Sequence, residues 1–208
     1  MHKKTIYLMR HGETELNRLR IVQGSGVDAH LNDTGRQQAM AFFEFYRDEG
    51  FEVVLTSRLT RTHQTVAPFL DMGLPWEQFE WLNEMNWGRH EGQPNTPELH
   101  AYYEEVIRAW KAGDYHVRFA DGENAVELAG RLQDFVHHLR QRPEQKILVC
   151  SHGRALRCLI CLLKGEPLHR MEDYHHANTG VYVVNYEQDT FFVELENDRR
   201  HLQPAIWG

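Results

Sequence analysis

Short apolar runs alternate along this chain with longer stretches of helical period, and the apolar runs tend to end abruptly in polar residues. Thr5-Ile6-Tyr7-Leu8-Met9 is the first, and its nearly continuous apolar character predicts a strand buried on both faces. Thr34-Gly35-Arg36-Gln37 has capping-box spacing, and Ala39, Phe42, Phe43 and Tyr46 keep helical period toward a stop at Gly50. Phe51 to Leu55 predicts the second strand, followed by a helix that starts at Thr56-Ser57 and runs through about Leu70. Pro75 breaks the chain before a short strand near Phe79 to Leu82. From Asn86 to Asp121 the pattern is irregular apart from one aromatic helix near Glu98 to Trp110. Val126, Ala129, Leu132, Phe135, Val136 and Leu139 then form one face of a long helix that ends before Pro143. Ile147-Leu148-Val149-Cys150 is a fully apolar strand, and Ala155 to Leu163 is a helix stopped by Gly165. Gly180 to Asn185 and Phe191 to Leu195 read as late strands joined by a polar turn.

Strands alternating with helices imply an α/β fold: three layers, with a mostly parallel sheet flanked by helices on both faces. The 208 residues suit a single domain spanning 1–208, and no linker divides it. Residues 93–121 read as a helical insertion that folds over the sheet edge and covers the active site. With 41% hydrophobic and 25% charged residues the composition is that of a globular protein. No stretch reaches the roughly 18 apolar residues of a membrane span, and Arg10 cuts the first apolar run too soon for a signal peptide. Cys150, Cys158 and Cys161 are odd in number and lie in apolar runs, so reduced core residues of a cytoplasmic protein are expected. A formal net charge of −7 argues against nucleic acid as partner, so an anionic substrate would need a local cluster of positive charge.

The candidate chemistry sits at strand ends. Arg10-His11-Gly12 follows the first strand, Ser57, Arg58 and Arg61 follow the second, Glu84 the third, and His152 the apolar strand that ends at Cys150. Ligands of open α/β sheets bind at that edge. Arginine presents a planar fork of donors that matches phosphate, and histidine serves as nucleophile or proton carrier near neutral pH. An isolated Arg-His pair would more simply be a basic surface turn, and the other strand-end residues are what weigh against that here. The glycines of Gln23-Gly24-Ser25-Gly26 are too loosely spaced for a nucleotide-binding loop.

Taken in order, these stretches resemble the histidine phosphatase superfamily, in the branch of the cofactor-dependent phosphoglycerate mutases, fructose-2,6-bisphosphatases and small broad-range phosphatases. The matching residues are Leu8-Met9-Arg10-His11-Gly12-Glu13-Thr14 with Asn17, Gln23-Gly24 with Leu31 and Gly35, and Ser57-Arg58-Leu59-Thr60-Arg61-Thr62 with Gln64-Thr65. Leu82-Asn83-Glu84 before Trp87-Gly88 and Glu91-Gly92, and Val149-Cys150-Ser151-His152-Gly153, complete the set. The resemblance implies that His11 is the nucleophile that becomes phosphohistidine and that Glu84 donates a proton to the leaving oxygen. It places Arg10, Arg61 and His152 in the phosphate pocket, Asn17 as an accessory phosphate contact, and Gln23 on the substrate-side loop. No cofactor and no metal are implied, and the partner is a small phosphate ester.

Charge stabilisation on the three equatorial oxygens, with attacker and leaving group in line, is what phosphoryl transfer requires. Neighbouring arginines favour the neutral, nucleophilic imidazole at His11, whereas His152 would be better protonated if it touches phosphate. Arg58 reads as a solvated or rim charge, Glu13 and Thr14 as loop-fixing residues, and Glu91 as an exposed loop carboxylate. Arg154, where the family pattern has a small residue, and Arg157 suit either the pocket rim or plain solvent. Tyr102, Tyr103, Trp110 and Tyr115 fit a covered pocket or simple packing on the sheet. The histidines, 14 in all, show no His-Glu-x-x-His spacing, and Cys158-x-x-Cys161 has no second pair, so no metal site is expected. Three functions follow: a phosphomonoesterase first, then a phosphoglycerate mutase, then a phosphoryl-binding protein without activity. The compact segment 95–115 and the short tail 197–208 favour the first over the second.

Overall fold

The computed structural model describes residues 3–203. A six-stranded sheet has the order β3-β2-β4-β1-β5-β6. Its strands are β1 (Lys4–Arg10), β2 (Val53–Thr56), β3 (Trp76–Gln78), β4 (Lys146–Ser151), β5 (Val181–Glu187) and β6 (Thr190–Asp198). The first four are mutually parallel, while β5 runs antiparallel to β1 and β6 antiparallel to β5. The helices are α1 (Glu15–Arg18), α2 (Asp33–Tyr46), α3 (Thr60–Asp71), α4 (Pro97–Lys111), α5 (Ala125–Gln141) and α6 (Gly153–Lys164).

Alternation along the strands sorts the core into two layers. Ile6, Leu8, Val53, Leu55, Ile147 and Val149 face α5 and α6. Tyr7, Met9, Val54, Leu148 and Cys150 face the other way, onto Phe42, Tyr46, Val66 and Phe69 of α2 and α3. Covered on both sides, these strands need apolar residues at every position, which is why they read as unbroken runs. Each such side chain contributes about 1.5–3 kcal/mol relative to exposure.

The topology makes the site. β1 and β4 lie side by side in register, with Arg10 opposite Ser151. The chain leaves β1 toward α2 on one face and leaves β4 into α6 on the other. A crevice opens where neighbouring strands send their connections to opposite faces.

Several predicted boundaries move. The third strand is Trp76–Gln78, an exposed edge, whereas Glu80–Leu82 is a 3-10 turn. The apolar Phe79, Trp81 and Leu82 are apolar because they pack on the α5 face, not because they lie in the ladder. Helix α2 is capped by Asn32, whose side chain accepts from the Gly35 amide, so the box predicted at Thr34 does not form. A reciprocal capping box forms instead at Thr14 and Asn17. Helix α3 begins at Thr60 rather than at Thr56, which still belongs to β2, and α2 ends at Tyr46, four residues before Gly50. The three cysteines are buried and unpaired. Among the described residues no helix is long and apolar enough to cross a membrane.

Candidate active site

His11 leaves β1 with its amide donating to the Ser151 carbonyl (3.0 Å), so its backbone is still held by the sheet. Its Nδ1 lies 2.7 Å from the carbonyl of Gly12. A carbonyl only accepts, so Nδ1 carries the proton and Nε2 keeps its lone pair. Burial, then the charges of Arg61 and Arg10, push the imidazole pKa well below the ordinary histidine value. The ring is therefore neutral, the state a nucleophile needs. Gly12 has no room for a side chain: a Cβ there would sit 2.6 Å from the Gly35 carbonyl, at the start of α2. Its amide donates to Thr65 Oγ1 (2.9 Å).

Behind His11 stand Arg61 and His152, both without exposed surface. The two imidazoles are 5.1 Å apart, centre to centre. Arg61 donates Nε to His152 Nδ1 (3.1 Å), Nη1 to the Val27 carbonyl (2.8 Å) and Nη2 to the Gly24 carbonyl (3.1 Å). Arg61 can only donate, so His152 carries its proton on Nε2 and gives it to Ser57 Oγ (2.8 Å). Burial and Arg61 push the His152 pKa well below its ordinary value. His152 is thus held neutral, with both ring nitrogens engaged, and the protonated ring expected of it belongs to contact with phosphate. All three hydrogen-bond acceptors of Arg61 are neutral, and burial lowers its pKa to about 10. A buried cation bonded only to neutral groups favours the arrival of an anion.

A cleft of about 250 Å³ opens in front of this layer, lined by Arg10, His11, Asn17, Gln23, Glu84 and residues of the opposite wall. Arg10 donates Nη1 to the His176 carbonyl (2.8 Å), while its buried Nε has no partner. Asn17 spends Oδ1 on Thr14 and on Asn178 Nδ2 (3.2 Å). Gln23 donates Nε2 to Thr14 Oγ1 (2.7 Å) and leaves a buried, unpartnered Oε1. Glu84 is 7% exposed. Its Oε1 accepts from the amides of Met85 and Ala155 (both 2.9 Å), and Oε2 accepts from the Arg154 amide (3.1 Å). The first turn of α6 therefore aims the carboxylate at the cleft.

One open alternative is decided and one reading changes. Arg154 lines the cleft, as does Arg157, and does not face solvent: its side chain is buried, ion-paired with Glu172 and donating to Tyr103 Oη (2.7 Å). Arg157 shares that carboxylate, with Nη1 2.6 Å from Glu172 Oε2. Glu91 is not an exposed loop carboxylate. It is half-buried, its pKa is raised by that burial, and it accepts from the amides of Trp87 and Gly26 (both 2.9 Å). It thereby ties the Gln23–Gly26 loop to the segment that carries Glu84. Arg58 is exposed and pairs with Glu80, as a solvated charge would. From α4, Tyr103 reaches the cleft, while Tyr102 and Trp110 pack around Phe119.

Sequence reasoning passed over Asn178, whose Nδ2 also donates to the His11 carbonyl (2.9 Å), and over Thr65, which holds Gly12. Thr65 closes the Ser57–Thr65 motif. Asn178 lay in a turn-like Ala177-Asn178-Thr179-Gly180 stretch with no chemistry of its own to mark it. Among the described residues no group of three or more His, Cys, Asp or Glu side chains is placed to hold a metal ion.

A buried neutral histidine beside two arginines and a hydrogen-bonded carboxylate is a phosphoryl-handling arrangement, and comparison with known proteins agrees. The family model of the histidine phosphatase superfamily (branch 1) matches residues 6–199. The chain belongs to that family. It is 31% identical to the probable phosphoglycerate mutase GpmB of Yersinia pestis (strain Pestoides F), over 97% of this chain and 96% of that one. Among solved structures it is similar to a putative alpha-ribazole-5'-P phosphatase from Escherichia coli K-12, with a TM-score of 0.83 and 28% identity over 94% and 97% of the two chains. A mycobacterial glucosyl-3-phosphoglycerate phosphatase in complex with VO3 shares the fold at a TM-score of 0.81 and 21% identity, over 94% of this chain and 100% of that one.

Proposed function

We propose that this protein hydrolyses a small phosphate monoester through a phosphohistidine at His11. The observation that carries the reading is the fixed tautomer of His11: Nδ1–H is bound to the Gly12 carbonyl, and Nε2 is unprotonated beside Arg10. Nε2 attacks phosphorus, the bond from phosphorus to the ester oxygen breaks, and Glu84 gives the departing oxygen its proton. Water then attacks the phosphoryl group, Glu84 takes a proton back, and the P–N bond breaks to restore neutral His11. Arg10 and Arg61 carry the charge that gathers on the equatorial oxygens, and by analogy with oxyanion donors each is worth about 3 kcal/mol of barrier. Asn17 supplies an amide donor, and Gln23 an acceptor for the leaving group. The helical segment α4 covers one side of the cleft through Tyr103.

The mutase reading has the 31% identical relative named a probable phosphoglycerate mutase in its favour. It needs the phosphoryl group to be returned to an acceptor before water reaches it. The compact 95–115 segment weighs toward hydrolysis. Of the tail 197–208, residues 204–208 lie outside those described.

Rapid quench with phosphorus-labelled substrate tests the reading. A base-stable, acid-labile label should appear on His11 and vanish in His11→Ala together with turnover. Turnover by the wild-type protein without that label would establish direct attack by water instead. Interconversion of phosphoglycerates run alongside separates transfer from hydrolysis.

A further inference from the structure

Resting on the acid role given above to Glu84, we propose that Arg131 and Glu123 together are the positioning device for that acid. Glu84 does not lie on a helix or strand: the chain from Asn83 to Trp87 is irregular and has no ladder to fix it. Its backbone is held from α5 instead. Arg131 donates Nη1 to the carbonyls of Trp81 (2.7 Å) and Asn83 (2.8 Å), and Nη2 to the carbonyl of Glu84 itself (3.1 Å). The guanidinium is in turn fixed by Glu123, with Nε to Oε1 at 2.8 Å and Nη2 to Oε2 at 3.0 Å. Glu123 closes the clamp on the far side: Oε2 accepts from the Asn86 amide (2.8 Å), and its own amide donates to the Asn86 carbonyl (2.8 Å).

One ion pair, 19% and 22% exposed, thus grips the segment both before and after the acid. The carboxylate is aimed by α6 and the backbone by α5, so the oxygen that must meet the leaving group is fixed at both ends. A guanidinium suits this task because its planar fork can serve three carbonyls and a bidentate carboxylate together, which an ammonium cannot. A displacement of about 1 Å at such a group costs up to about a hundredfold in rate. Neither residue touches the reacting atoms.

Arg131→Met is the test, read through leaving-group dependence. With an alkyl phosphate, whose departure needs a donated proton, kcat/KM, which reports phosphoryl transfer to His11 and not the later hydrolysis common to all substrates, should fall about 30-fold or more. With nitrophenyl phosphate it should fall no more than about threefold. On a Glu84→Gln background the same substitution should cost little further, since the acid it positions is gone. Arg131→Lys should restore less than half of the lost alkyl rate. Equal losses on both substrates, or full additivity with Glu84→Gln, would overturn the proposal, because a purely structural residue behaves so. If Arg131→Met does not fold, Glu123→Gln loosens the same clamp while keeping its shape, and the same split decides. Should Glu84→Gln itself slow both substrates alike, the acid assignment fails first, and the clamp loses its purpose with it.

Discussion

Replacing Glu84 by glutamine separates what this side chain does for the fold from what it does for the reaction. Three amides donate to the carboxylate, two to Oε1 and one to Oε2. Glutamine can place its carbonyl oxygen where Oε1 was and keep the bonds from Met85 and Ala155. Its NH2 must then face the amide of Arg154, a donor against a donor. One buried N–H loses its acceptor, which costs about 1–3 kcal/mol. For a domain of this length each kcal/mol lowers the melting temperature by about 2–4 °C. The folded protein should thus survive the change, melting several degrees lower. The chemical loss is of another size: a positioned acid is worth about 10²–10⁴-fold, but only where the leaving group needs a proton. Values of kcat/KM on an alkyl and a nitrophenyl phosphate, which report the transfer to His11 and not the hydrolysis shared by both substrates, separate the two effects when a thermal melt is taken on the same preparation. The alkyl rate should fall by that factor while the nitrophenyl rate drops only slightly. Equal losses would remove Glu84 from the acid role and turn attention to Glu91 and Glu13.

Ser57→Ala removes the acceptor of the His152 proton and leaves a buried N–H unpaired, so vanadate inhibition should weaken and the melting temperature fall by an amount matching about 1–3 kcal/mol. Unchanged vanadate affinity would show that the tautomer of His152 does not matter to anion binding. Burial holds His11, His152 and His176 well below the ordinary histidine pKa and His201 at about 4. The unfolded chain therefore binds more protons below its own histidine pKa of about 6.5, so stability is full above that pH and falls as pH drops below it. Urea titrations at successive pH values check the sign, and a protein more stable in mild acid would refute it. Gly35→Ala should destabilise strongly, since its Cβ would lie 2.0 Å from the Glu13 carbonyl and neither backbone can give way. A melt unchanged by that substitution would show that the Glu13 backbone yields to a methyl group.

Much of this was legible from the chain alone. Strands buried on both faces must be apolar throughout, so β1, β2 and β4 announced themselves, and His11 and His152 stood out as the polar residues that follow two of them. The spacing of Ser57 to Arg61 likewise carried the second arginine to the same edge. The weak edge strand did not announce itself: Trp76–Gln78 is exposed, and its apolar neighbours pack elsewhere, so periodicity pointed three residues too late. Capping was misplaced for a similar reason, because Asn32 and Thr34 are equally good caps on paper and the approach of Gly35 to Glu13 decides between them.

The sequence by itself determined which side chains could do chemistry and which strands would deliver them. Only the tertiary structure decided their states. Nothing in Arg10-His11-Gly12 says that the following carbonyl takes the proton of Nδ1, nor that Arg61 and Ser57 hold His152 neutral between them. Arg154 is the sharpest case: one arginine after a Ser-His-Gly turn suits either the pocket rim or plain solvent, and Glu172 and Tyr103 arrive from distant parts of the chain to bury it in the cleft wall. Protonation and burial depend on which partners come within about 3 Å, and for long polar side chains those partners are set by packing across the fold. Hydrophobic runs carry their own reason for being inside, whereas a buried charge is explained only by the company it finds there.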